Sequence, residues 1–295
     1  MSISAFQVKE LRERTGAGMM DCKSALVATD GDMQAALDWL RKNGITRAAI
    51  KGDRVACDGL VGVFSDGRKA VLVELNVETD FVARNSAFQE LVRNVSQAAF
   101  VTDGSMKEVY SAAYPGGITV SDAIKEAVYR LGEDIILRRV AMLSPSKGIV
   151  ANYVHNRISD GLGKIGVLVS IDTDGDQAAA HQFGHQLAMH VAARNPLFLN
   201  KADVDPLTVK RERSFFLEQV RQSRKSEAFL EKMVEGRLDK FYEEVVFLSQ
   251  AFVHSPHISV ESALRKAESL IGASAKISSY IRFALGDGIE KKEIV

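Results

Sequence analysis

Ala70-Val71-Leu72-Val73-Glu74-Leu75-Asn76-Val77-Glu78-Thr79-Asp80-Phe81-Val82-Ala83-Arg84-Asn85-Ser86-Ala87-Phe88-Gln89 decides how this chain is read. Its first half is an apolar run with strand character, and Ser86 with Gln89 reads as a capping box that opens a helix to Phe100. Asp80 and Phe81 then fall in the connection. A phenylalanine in such a loop either staples the coming helix or is offered to something outside, and Asp80 is either a cap or a contact. The residues alone leave both choices open.

Upstream, Val61, Val63 and Phe64 followed by Ser65-Asp66-Gly67 make a hairpin with Ala70 to Val77. The unit recurs. Ser159-Asp160-Gly161 is followed by the apolar strand Ile165 to Ile171, by Thr173-Asp174 in the place of Thr79-Asp80, and by a helix with Phe183, Leu187 and Val191 matching Phe88, Leu91 and Val95. A duplicated α+β subdomain with small antiparallel sheets is the simplest architecture. The second copy has Gly175 where the first has Phe81, so the scaffold itself does not require that ring.

Residues 4 to 44 read as three short helices. Ser4 and Gln7 form a capping box, Gly16 and Gly18 break the chain, Asp32 caps the third helix and Gly44 stops it. So small a core suits a binding module better than a catalytic domain. Met19 and Met20 either pack between these helices or, beside Lys23, form an adaptable partner surface. Arg47, Lys51 and Arg54 make a basic link. Between the repeats, Val120 to Leu143 is helix turning to strand, with Arg138-Arg139 near its end. Pro206 starts one charge-laced helix and Ser226 caps another, giving an antiparallel hairpin, and Ile277 to Ile289 reads as a strand returning to the second sheet.

Composition limits the function. At 295 residues the chain exceeds the usual size of one core, and its 38 Lys+Arg balance 38 Asp+Glu, which argues against a general basic surface for nucleic acid. No stretch approaches the ~20 apolar residues that span a bilayer, so the expectation is a soluble, unexported protein of the cytoplasm. Cys22 and Cys57 read as free structural thiols. His181 and His185 share a helical face with His190 following, but no His-Glu-x-x-His pattern accompanies them, and no metal is expected. Gly161-Leu162-Gly163-Lys164 is too short for a phosphate loop and precedes a strand, so it reads as a turn. No nucleophile motif for acyl transfer is present.

The run Val8-Lys9-Glu10-Leu11-Arg12-Glu13-Arg14-Thr15-Gly16-Ala17-Gly18-Met19-Met20-Asp21-Cys22-Lys23 and the run Thr79-Asp80-Phe81-Val82-Ala83-Arg84-Asn85 resemble the two signature segments of the translation elongation factor Ts family. Ala188 to Ala193, Glu231 to Arg237 and Ile281-Arg282-Phe283 are similar to further family segments in the same order. Cys57 stands in place of a usual alanine, Ala251 in place of a usual proline, and residues 100 to 118 follow no family pattern.

The resemblance implies a guanine nucleotide exchange factor for elongation factor Tu, acting without covalent chemistry, metal or cofactor and without direct contact to nucleic acid or membrane. It implies a ubiquitin-associated-like three-helix module over 1–55, a core N-subdomain over 56–145 and a core C-subdomain over 146–295. The last includes a coiled-coil hairpin over 197–247 and a tail over 275–295. Phe81 would be the wedge that enters the GTPase, oriented by Asp80 and flanked by Thr79 and Val82. Arg12, Met19, Met20 and Lys23 would dock the module, and His190 would face the partner's third domain. Family members include some that pair through the core and some that do not, so homodimerisation stays open. Two other readings of the residues are an adaptor whose three-helix module binds ubiquitin-like or other helical partners, and a metal hydrolase using His181, His185 and His190.

Overall fold

The structure, a computed structural model, describes residues 3–42, 56–221 and 227–289. Gly44, the basic link Arg47, Lys51 and Arg54, and the Ser226 cap lie outside the described residues. Helices Ala5–Thr15, Met19–Ala28 and Met33–Lys42 enclose Leu11, Cys22, Leu26, Ala36 and Leu40. Their ends follow local chemistry: the Ser4 hydroxyl accepts the Gln7 N–H at 3.2 Å, Gly16 turns at φ 67°, and the Asp32 carboxylate accepts from Gln34 and Ala35.

Two antiparallel sheets form the centre. In the first, the order is Ile136–Leu143, Ala70–Val77, Asp58–Ser65, Leu162–Gly163; in the second it is Ala275–Ala284, Ile165–Thr173, Ile149–His155. The chain is therefore α+β. Every residue of Ala70–Val77 is buried, because its two faces meet different layers. Val71, Val73 and Leu75 pack with Phe88, Leu91 and Val95 of the Ser86–Phe100 helix, while Ala70 and Leu72 join Val61 in a cluster with Val150, Leu168 and Phe283 of the other sheet. The second repeat does the same with Val167, Val169 and Ile171 against Phe183, Leu187 and Val191 of the Gln177–Arg194 helix.

The repeats differ at one turn. Ser65-Asp66-Gly67 closes a hairpin within its own sheet, whereas Ser159–Gly161 leads into Leu162–Gly163, which pairs with Val61 and Gly62 of the first sheet. The expected turn thus continues into a strand that ties the two halves together.

Glu74 makes a second tie. Fully buried, its carboxylate accepts from Arg138 at 3.0 Å, Arg139 at 2.6 Å and the Gly286 N–H at 3.0 Å. Arg139 also donates to the Ala284 carbonyl and stacks on Phe283. Burial pushes the Glu74 carboxyl upward, but the Gly286 amide and both guanidiniums outweigh burial and hold it below the usual range.

Helices Pro206–Arg221 and Glu227–Val245 pack together over Leu217, Val220, Leu230, Val234 and Leu238, with Arg213 paired to Glu231 and Glu235. Three expectations are corrected. The cap of the Ser86–Phe100 helix is Asn85, whose side chain accepts from Ala87, since the extended residue lies one position earlier than Ser86. Asp80–Ala83 is a single helical turn instead of an open connection. The last strand ends at Ala284, where Gly286 and Gly288, both at positive φ, begin a turn. Residues 100 to 118, without pattern in sequence, contain the Met106–Ser111 helix and the small hairpin Ala113–Tyr114 with Ile118–Thr119.

Candidate partner-docking site

The turn Asp80–Ala83 leaves the strand Ala70–Val77 through Glu78 and Thr79. On it, Val82 and Ala83 are buried in the first core, at 9% and 1% exposure. One turn of helix cannot bury all its sides, and Phe81 lies on the other one, 82% exposed. The staple alternative is thereby excluded. Leaving so large a ring in water forgoes about 1.5–3 kcal/mol that its burial would contribute.

Three interactions hold the turn. Thr79 donates its hydroxyl to Glu133 Oε1 at 2.6 Å and its backbone N–H to Oε2 at 3.0 Å. Glu78 returns the contact by accepting the Asp134 N–H at 3.0 Å. Asp80 does not cap the turn; it pairs with Arg84 at 2.9 Å, both side chains largely open to solvent. Glu133 was not legible in the sequence as part of this site. Gly132-Glu133-Asp134 reads as an ordinary polar loop, 54 residues from Thr79, and no periodic signal links them.

Arg12, Met19, Met20 and Lys23 are all exposed on the N-terminal helices, with Met19 at 59% and Met20 at 69%. Packing between the helices is therefore not their role. Gly18, the first extended residue before the helix, leaves both methionines in its opening turn, outside the cluster around Cys22 and Leu26.

A family model described as elongation factor TS matches residues 78–287, which begin at this turn and end beside the Glu74 clasp. The chain belongs to the elongation factor Ts family. It is 60% identical over 293 residues to an elongation factor Ts of Brucella ovis, covering 99% of this chain and 96% of the relative. It is likewise 57% identical over 295 residues to an elongation factor Ts of Bartonella bacilliformis, covering 100% and 96%. These alignments extend across the three N-terminal helices that precede the family model's match.

His190 is placed differently from the other candidates. Its ring has no exposed surface and stacks on Phe247, at 5.5 Å and 21°. Nε2 faces Gln250 Oε1 at 2.8 Å and Nδ1 faces the Val253 N–H at 3.2 Å, which fixes the neutral tautomer with the proton on Nε2. Burial pushes its pKa down to about 4. An imidazole enclosed in this way presents no ring surface to a partner, contrary to the expectation that it faces one; it holds Gln250 and Val253 in place. His185 meets the Asn152 carbonyl at 2.9 Å and His181 lies against the Gly67 turn, so the three histidines serve three separate places. Among the described residues, no group of three or more His, Cys, Asp or Glu is placed to hold a metal ion. Among them, too, no helix is long and apolar enough to cross a membrane.

Proposed function

We propose that this chain is a guanine nucleotide exchange factor for elongation factor Tu, acting in the cytoplasm during translation elongation. The observation that carries the reading is Phe81: an aromatic ring facing water on a short turn whose next two residues, Val82 and Ala83, are buried in the core. An exchange factor changes no covalent bond. It binds the nucleotide-free GTPase more tightly than the loaded one, and linkage then requires it to weaken nucleotide by the same factor.

In this reading Phe81 enters between helices of the GTPase and displaces them, so that the magnesium ion and phosphates lose ligands. Burying the exposed ring contributes about 1.5–3 kcal/mol, equivalent to roughly ten- to hundredfold coupling. That is less than efficient exchange demands, so further contacts are required. Arg12, Met19, Met20 and Lys23 supply docking affinity, Val82 and Thr79 shape the wedge, and Asp80 offers a carboxylate beside it. His190 contributes by fixing residues 250–253 beneath a contact with the partner.

The separate apolar clusters support a division into a ubiquitin-associated-like module over 1–55, a core N-subdomain over 56–145 and a core C-subdomain over 146–295. The helix pair within 197–247 suits a coiled-coil hairpin. The test is release of a fluorescent GDP analogue from elongation factor Tu. Added protein should accelerate release in a saturable way, and release at the spontaneous rate at every concentration would refute the reading.

A further inference from the structure

A helix of four residues has no stability of its own, because fixing its first turn costs more conformational entropy than its few hydrogen bonds return. In Asp80–Ala83 the bonds are sparse: the Ala83 N–H reaches the Thr79 carbonyl at 3.5 Å and the Arg84 N–H reaches Asp80 at 3.1 Å. Thr79 has the extended backbone of an N-cap, yet its hydroxyl makes no capping bond. Instead both of its donors go to the two oxygens of Glu133. Gly132, at φ 79°, ends the Val120–Leu131 helix in a left-handed turn and delivers Glu133 to that position. The reciprocal bond from Asp134 to Glu78 laces the same two loops a second time.

We propose that Glu133 is a positioning residue for exchange, holding the turn that presents Phe81 through its two-oxygen grip on Thr79. The proposal rests on the wedge reading of Phe81. A carboxylate accepting two bonds from one residue is among the stronger neutral-to-ion contacts, and it fixes both position and direction of the strand exit. Without it the ring spends a smaller fraction of time in the direction that enters the partner, and the productive step slows in proportion. Docking by the N-terminal helices does not pass through this contact. The loss therefore falls on the release step and not on encounter.

The experiment is stopped-flow release of fluorescent GDP from elongation factor Tu, run against rising concentrations of full-length wild type, Glu133→Gln, Phe81→Ala and the double variant. Glu133→Gln keeps size but turns one acceptor into a donor facing a donor. Its maximal release rate should fall about fivefold while the half-saturating concentration stays within about twofold, a split that loss of fold would not give. In the Phe81→Ala background, adding Glu133→Gln should change nothing further, because there is no ring left to position. Thr79→Val, with its fold checked by circular dichroism, reports the same grip from the other side and should also lower the maximal rate. An unaltered rate for folded Glu133→Gln and Thr79→Val, or the same fold-loss with and without the Phe81 ring, would overturn the positioning role while leaving the wedge standing. A wild-type rate for Phe81→Ala alone would remove the wedge and this role together.

Discussion

Replacing Glu74 by glutamine keeps the side chain's shape and removes its charge from a site that no water reaches. Four donors converge on this carboxylate: Asn76 at 3.2 Å, Arg138 at 3.0 Å and Gly286 at 3.0 Å on Oε1, and Arg139 at 2.6 Å on Oε2. An amide retains one oxygen and turns its other terminus into a donor, so at least one guanidinium meets a like group. The two arginines keep about a quarter of their side-chain surface in water, which softens the penalty below that of a fully enclosed ion. The expected cost is about 3 kcal/mol, or a fall in melting temperature of about 5–10 °C for a protein of this size.

The assay is thermal and urea unfolding followed by far-ultraviolet circular dichroism, with amide exchange at Leu285 and Gly286 as a local reading. Because the folded carboxyl is held below its ordinary value, its stabilisation is present above that value and is lost as pH falls through the folded one. The gap between wild type and Glu74→Gln should therefore be full at pH 7 and close in acid. A glutamine variant as stable as wild type at pH 7, with unaltered exchange at Gly286, would refute the assignment of this clasp as a tie between the sheets.

Three other outcomes follow from the same structure. His190 is neutral when folded, with a pKa of about 4, so the stability it contributes is complete above its ordinary value near 6.5 and is lost as pH falls towards 4; the loss should be on the order of 2–3 kcal/mol and should be largely absent from the unfolding curves of His190→Leu. Cys57 should react with a thiol reagent well before Cys22, which is enclosed and whose pKa burial raises; equal labelling of both in the folded protein would contradict the packing of the N-terminal helices. Met19→Ala combined with Met20→Ala should raise the half-saturating concentration for GDP release about tenfold with the maximal rate little altered, as titration of the release rate would measure.

How far the sequence could be read depended on whether the deciding interactions were local. Period-two alternation, glycine turns and caps such as Ser4 and Asp32 act over a few residues, so the three N-terminal helices and the duplicated strand-and-helix unit were legible in advance. The resemblance to the elongation factor Ts family, now matched over residues 78–287, supplied the candidate site. Three features were hidden because their partners are distant in sequence. Glu133 grips Thr79, Leu162–Gly163 crosses to the first sheet, and Glu74 collects Arg138, Arg139 and Gly286. Local pattern also failed at Asn85, where one residue of offset decided the cap, and Val260–Ile271 is an amphipathic helix capped by Ser259.

His190 shows a different limit. Its place in a helix next to Val191 and Leu187 was visible, but whether an imidazole on such a helix faces a partner or its own core depends on the segment that covers it. Here Phe247, Gln250 and Phe252 cover it completely.

The most direct measurement is the rate at which elongation factor Tu loses fluorescent GDP at saturating concentrations of wild type and of Phe81→Ala, the latter shown to be folded by circular dichroism. The ring is 82% exposed, so its removal should leave stability nearly unchanged and slow release at least about tenfold. Equal rates for the two proteins would contradict the claim that an outward-facing phenylalanine opens the nucleotide site.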